Sequence, residues 1–166
     1  MLQGIVSLAD FPKEGMVLSG DVAVGREPVP GDPVAGVDRI HLEARLFKLG
    51  DTYHMDGALD ADLTLSCCRC LEPFRFHEQI PVRHALQPAG RELGPEAFAY
   101  EGESFDLGAM VRELVEVNLP MKPLCSEACT GLCPMCGANR NRTPCHCRPE
   151  AEGPMAEVLK KLTKGE

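Results

Sequence analysis

Six cysteines stand between Cys125 and Cys147, and their spacing constrains this chain more than any other feature. Cys133-Pro134-Met135-Cys136-Gly137 has the form of a zinc knuckle. Two thiolates on a tight turn can face one ion, and Gly137 lets the backbone fold beneath the sulfurs. Cys145 and Cys147 follow after a short loop and complete a tetrahedral four-thiolate set. A closed set of this kind stabilises a fold and leaves no open position for a substrate. The segment has few apolar residues, so metal is its main expected source of order. Structural zinc contributes roughly 10–16 kcal/mol of apparent binding in small peptides. Without metal, residues 125–147 are expected to be unfolded. Zinc is the default ion, although four sulfurs also suit an iron–sulfur cluster. His146 is a candidate to replace one thiolate.

The other three cysteines form Cys67-Cys68-Arg69-Cys70, again with knuckle spacing between the first and last. Two metal readings fit. Cys67 and Cys70 pair with Cys125 and Cys129 in a second four-thiolate site that ties the tail to the preceding strands. Alternatively they stay unligated, and Cys125, Cys129, Cys133 and Cys136 share one ion. The third reading is a pair of turn thiols without a ligand role, since buried free cysteine is common. Cys68 points away from Cys67 and reads as a bystander. Residues 1–20 lack the basic start and apolar run of a secretory signal, and no apolar stretch is long enough to span a membrane. A cytoplasmic protein is expected, where thiols stay reduced and cysteine clusters signal metal before disulfides.

Charge is distributed unevenly. The formal charge of the 166-residue chain is -8, and residues 1–66 hold 11 acids against five bases. Residues 120–166 hold five acids and seven bases. An acidic front would be repelled by phosphates, so contact with RNA is expected from the tail. The candidates are Arg140, Arg142, Arg148, Lys160, Lys161 and Lys164, together with Arg69 and Arg75. The bland alternative for these bases is a solvated face. A further possibility is that an acidic sheet steers a basic protein partner.

Hydrophobic periodicity gives the fold class. Ile40, Leu42, Ala44 and Leu46 alternate with polar residues, as do Leu59, Ala61, Leu63, Leu65 and Cys67. That period of two marks strands with one solvated face. Met16 to Val24 reads as a further strand, and Phe74, Phe76, Ile80 and Val82 line one face of another. Pro28 to Gly36 and Gln87 to Glu103 read as loops. From Asp106 the period changes: Leu107, Met110, Val111, Leu114 and Val115 form the stripe of an amphipathic helix, with Asp106 as N-cap and Pro120 as terminator. The expected fold is α+β: an antiparallel, curled or barrel-like sheet, one packed helix and a C-terminal zinc-knuckle segment. The expected division is a β-rich domain at 1–120 with its helix at about 106–119, a cysteine-rich segment at 121–148, and a short tail at 149–166 with helical character.

Catalysis is not indicated. The sequence has no glycine-rich phosphate loop, no His-Glu-x-x-His and no Gly-x-Ser-x-Gly elbow. Asp60 and Asp62 alternate with apolar residues, as a solvated strand face does. His41, His54, His77 and His84 are scattered, with no nucleophile in a recognisable arrangement. Cys67 and Cys70 lack the βαβ setting of a thioredoxin-like pair.

Three ordered motifs suggest a family. Cys67-Cys68-Arg69-Cys70-Leu71-Glu72-Pro73-Phe74 is followed by Leu119-Pro120-Met121-Lys122-Pro123-Leu124-Cys125 and by Gly131-Leu132-Cys133-Pro134-Met135-Cys136-Gly137-Ala138-Asn139. Together they resemble the YceD family, the large ribosomal RNA subunit accumulation proteins of bacteria and plastids. The resemblance spans roughly residues 15–147. Members commonly end the last motif Asn-Leu-Asn, whereas this chain has Asn139-Arg140-Asn141. The resemblance implies a non-enzymatic factor for accumulation of large-subunit ribosomal RNA, with an antiparallel β-structure and a packed helix. Its implied partners are a pre-ribosomal particle, a ribosomal protein or ribosomal RNA, with no membrane and no small-molecule substrate. Some relatives lack most of the second cysteine cluster, which makes the metal an aid to folding and not the seat of activity. The alternative is a zinc-stabilised protein-interaction module with no ribosomal role.

Overall fold

The computed structural model describes residues 1–25, 32–90, 94 and 97–147. The chain divides into two compact units: Met1–Cys68 with Glu72–Cys125, and Arg69–Leu71 with the chain from Ser126 onwards. The expected helical tail at 149–166 lies outside the described residues.

The first unit is a sheet with one helix. Its strands are β1 (Ile5–Ser7), β2 (Met16–Asp21), β3 (Val34–Leu49), β4 (Thr52–Ser66), β5 (Pro73–Pro88), β6 (Ala97–Tyr100) and β7 (Ser104–Asp106), followed by α1 (Leu107–Asn118). β2 to β6 form one sheet in chain order, and β1 pairs with β7 in a second, two-stranded ladder. Among the described residues the larger sheet does not close, leaving β2 and β6 as its edges. It is therefore not a closed barrel. Its pairings are antiparallel except the last, where β6 runs parallel to β5.

Alternation sets which face is buried. Ile40, Leu42, Ala44 and Leu46 on β3 are buried, as are Leu59, Ala61, Leu63 and Leu65 on β4. Ile80, Val82 and Leu86 continue this layer on β5. All five residues of the helical stripe are buried in the same core. Asp106 caps α1, its carboxylate accepting from the Ala109 N–H at 2.8 Å, so one otherwise unpaired donor of the first turn is satisfied. The helix is accompanied by β1 and β5, and Val6, Leu8 and Phe105 complete the layer. No helix among the described residues is long and apolar enough to cross a membrane.

Gln87 to Glu103 differs from the expected loop. β5 continues to Pro88, and β6 adds Phe98 and Tyr100 as partly buried residues packed on the core. Four residues are too short to show a period, so this strand had no sequence signal.

The open face of the sheet carries mixed charge, not an acidic field. Asp56, Asp60 and Asp62 stand on β4 between β3 and β5. Asp56 is opposite Arg45 and Arg83, Asp60 is opposite His41 and Gln79, and Asp62 is opposite Arg39 and His77. His77 Nδ1 lies 2.9 Å from Asp62 and Gln79 Nε2 donates to Asp60 at 2.9 Å. On β2, Asp21 meets His41 Nδ1 at 2.7 Å and accepts from Arg39 Nε at 2.9 Å. Its carboxyl is held below the usual carboxylate range, first by the His41 hydrogen bond and then by Arg39. These opposite-charge cross-strand neighbours support the pairing register.

Candidate metal centre

Two sets of four cysteines converge. The sulfurs of Cys67, Cys70, Cys125 and Cys129 lie within 4.8 Å of one another, and so do those of Cys133, Cys136, Cys145 and Cys147. None of the nine cysteines, all of them described, forms a disulfide. The alternative grouping of Cys125, Cys129, Cys133 and Cys136 is not the one the chain adopts. Cys68 is exposed and outside both sets, and His146 is exposed and belongs to neither.

The local backbone explains why each pair of sulfurs faces inward. The Cys67 N–H donates to the Glu72 carbonyl at 2.9 Å, and the Cys133 N–H donates to the Ala138 carbonyl at 2.8 Å. Both bonds span five residues and close the same kind of tight turn. In each case the residue after the second cysteine takes the left-handed conformation: Leu71 at φ 60° and Gly137 at φ 72°. The first of these turns is also the connection between β4 and β5, so strand pairing delivers Cys67 to it. The Cys68 N–H donates to the Pro123 carbonyl at 2.8 Å, which places the segment leading to Cys125 alongside.

In the second unit, Arg69 serves as an internal brace. Its guanidinium donates to the Cys129 carbonyl at 2.9 Å, and its carbonyl accepts from the Leu132 N–H at 2.9 Å. Gly131, at φ 72°, passes so close that an added Cβ would lie 2.9 Å from that carbonyl. This is a different task from the RNA contact expected of Arg69.

The sulfurs themselves receive donors. Backbone hydrogen bonds from Cys136 and then Met135 pull the Cys133 thiol down to about 6. A hydrogen bond with Cys136, followed by desolvation, pushes Cys147 up to about 12. Arg140 is hydrogen-bonded to Cys133 and its pKa is raised by that contact. Asn141 Nδ2 donates to Cys129 Sγ at 3.2 Å, while its Oδ1 accepts from the Thr130 N–H at 2.8 Å and hydroxyl at 2.9 Å. Asn139 Oδ1 accepts from the Asn141 N–H at 2.9 Å. Asn139-Arg140-Asn141 is thus a supporting layer for the cysteines, and the arginine where an apolar residue is usual places a cation beside thiolate sulfur. Sequence spacing found the cysteines but not these supporters. Their only advance signal was position within the motif.

The donor set fits a metal. A tetrahedron with Zn–S bonds of about 2.3 Å has sulfur–sulfur edges of about 3.8 Å, within the observed spacing. N–H donors aimed at sulfur favour the thiolate form that binds metal. Either set could therefore hold an ion.

Comparison with known proteins settles the relationship. Residues 55–163 match the family described as large ribosomal RNA subunit accumulation protein YceD. The chain belongs to the YceD family. The matched stretch contains both cysteine sets and the helix. An uncharacterized protein of Mycobacterium tuberculosis is 26% identical over 144 residues, covering 84% of this chain and 68% of the relative. A chloroplastic YCED homolog 1 of Zea mays is 32% identical, covering 85% of this chain and 56% of its own length. The homolog 1 of Arabidopsis thaliana is 30% identical over 73 residues, which is 42% of this chain and 23% of the relative. Both plant relatives carry the name large ribosomal RNA subunit accumulation protein. No solved structure is significantly similar.

The expected RNA-contact residues of this YceD protein fall in different places. Arg140 turns to Cys133, Arg142 lies in the turn after Asn139, and Arg75 is exposed on β5. Arg148, Lys160, Lys161 and Lys164 lie outside the described residues.

Proposed function

We propose that this chain is a non-enzymatic, cytoplasmic factor in large-subunit ribosome biogenesis. It promotes accumulation of the large-subunit ribosomal RNA through contacts with RNA or protein on a precursor particle. The observation that carries this reading is the family match across residues 55–163. Both cysteine sets hold structural zinc. Their chemistry supports a role in folding, because four thiolates fill the coordination sphere and leave no site for substrate activation. Among the described residues, polar side chains of the open face such as Asp21 and His41, Asp62 and His77, and Asp60 and Gln79 occupy one another in cross-strand pairs.

Depletion of the protein tests the role directly. The expected result is a fall in large-subunit ribosomal RNA relative to small-subunit RNA, with the tagged protein sedimenting on precursor particles. Normal RNA levels and no particle association would leave a zinc-stabilised interaction module as the better account. Elemental analysis of protein purified without added metal tests the ion: about two zinc equivalents are expected, by the four-ligand rule. Iron in place of zinc, or no metal in reduced protein, would overturn the assignment. Chelation is expected to unfold residues 126–147 while the sheet, which has its own core, stays folded.

A further inference from the structure

The acidic front of the chain contains one place where cations collect. Three of its bases, Lys13, Arg45 and Lys48, line one cleft of about 460 Å3 together with Phe47 and two acids, Glu14 and Asp56. A second cleft of about 630 Å3 adjoins it, sharing Phe47 and Asp56 and adding His54 and Arg83. Phe47 therefore stands between two open clefts, at the hairpin end of the open sheet face.

Register explains the grouping. Phe47 is opposite His54, Arg45 is opposite Asp56, and Asp56 is opposite Arg83. Strand alternation sends all five side chains to the solvated face. The Phe47 and His54 rings stack at 5.8 Å between centroids, inclined by 22°, and both are only partly buried. Lys48 Nζ is held 5.2 Å above the Tyr53 ring, and Arg45 Nη2 donates to the Glu14 carbonyl at 2.9 Å. The Arg83–Asp56 contact is 3.7 Å long between largely exposed side chains, so it is readily exchanged for another anion.

We propose that this end of the sheet is a single-stranded RNA subsite: the Phe47–His54 pair takes nucleobases, and Lys13, Arg45, Lys48 and Arg83 take the neighbouring phosphates. The pattern is the one such binding requires, a flat aromatic platform bordered by cations that follow a backbone. Single-stranded RNA is favoured over an acidic peptide because a peptide would use the cations and leave the ring pair without a role. It is favoured over a duplex because an A-form helix hides its base faces. The subsite rests on the ribosomal reading above and names where RNA is held. Asp56, the acid shared by both clefts, opposes binding and limits affinity for free RNA.

The test is fluorescence anisotropy of a labelled oligouridine about 12 nucleotides long, titrated with the full zinc-loaded chain. Phe47→Leu keeps an apolar side chain but removes the platform, and should weaken binding by roughly ten- to a hundredfold. Lys48→Gln and Arg83→Gln, both exposed, should weaken it and lower the salt slope by about 0.7 each. Asp56→Asn should tighten binding. The proposal is overturned if the oligomer does not bind, or if polyglutamate binds equally well. It is also overturned if these variants bind like the parent while Arg140→Gln and Arg142→Gln abolish binding. Sedimentation separates this from the broader reading. A parent chain that travels with precursor particles but ignores the oligomer sinks the subsite alone. A chain that never travels with particles sinks the ribosomal role, whatever the oligomer does.

Discussion

A thiolate is stable only where donors meet it, and Cys133 has two backbone N–H groups and a guanidinium. With residues 126–147 folded, these donors hold its thiol at about 6, against an ordinary value of 9.0. The folded value lies below the unfolded one. Its contribution to stability is therefore full above the ordinary thiol range and is lost as pH falls through about 6. Zinc content of the purified protein across a pH series checks this: the metal should stay bound as pH falls towards about 6 and leave below it, and release well above that value would contradict it. Leu71 offers a second test at this scale. It holds a left-handed backbone and is 65% exposed, where the sister turn uses Gly137. Leu71→Gly is expected to stabilise the fold by about 0.5–1 kcal/mol, the relief of strain less the entropy of glycine. Urea denaturation reads it, and a loss of stability would show that Leu71 packs usefully. Spacing named the eight ligand candidates, because two sulfurs on one turn leave a sequence signature, but it left the grouping of Cys67, Cys70, Cys125 and Cys129 open, since which turns meet is decided by the fold. Arg140 and Asn141 were not, because a side chain donating to sulfur leaves none.

At the scale of elements, length decided what could be read. β3, β4 and α1 are 16, 15 and 12 residues long, and their periods of two and 3.6 show clearly except at the start of β3, where register shifts between Val34 and Arg39 break the alternation and the sequence reads as loop up to Gly36. β1, β6 and β7, of three or four residues, carry no period and were missed. The parallel pairing of β6 was equally hidden, since direction is settled by the path of the connecting chain. Gly57 looks like a weak point in the middle of β4 but is required there. An added Cβ would lie 2.1 Å from the Glu43 carbonyl oxygen and 2.5 Å from the Ala44 Cα. Gly57→Ala must push β3 and β4 apart, and is expected to cost about 3 kcal/mol or more. A chemical denaturation midpoint like that of the parent would show that the two backbones are not so close.

For the whole molecule, composition misled where geometry did not. An excess of acids in residues 1–66 suggested an acidic sheet, yet the register interleaves Asp56, Asp60 and Asp62 with Arg39, Arg45, His77 and Arg83. Net charge counts residues and is blind to which strands lie side by side. At one end of the face Lys13, Arg45 and Lys48 line a cleft with Glu14 and Asp56, a local balance that the count over residues 1–66 conceals. The two-stranded ladder has a consequence in time. Every strand of the larger sheet pairs with its neighbour in sequence, so its three antiparallel pairings and the parallel addition of β6 can form as the chain lengthens. Ile5–Ser7 must wait for Ser104–Asp106, about a hundred residues later, before it has a partner. The beginning of the chain is thus expected to be the last part of the sheet layer to fold. Val6→Ala should then speed unfolding and leave the folding rate nearly unchanged, and a slowed folding rate would place β1 in the nucleus instead. Until that late closure the helix has only the larger sheet to lean on, and a truncated or stalled chain would present its apolar stripe to whatever surface is near.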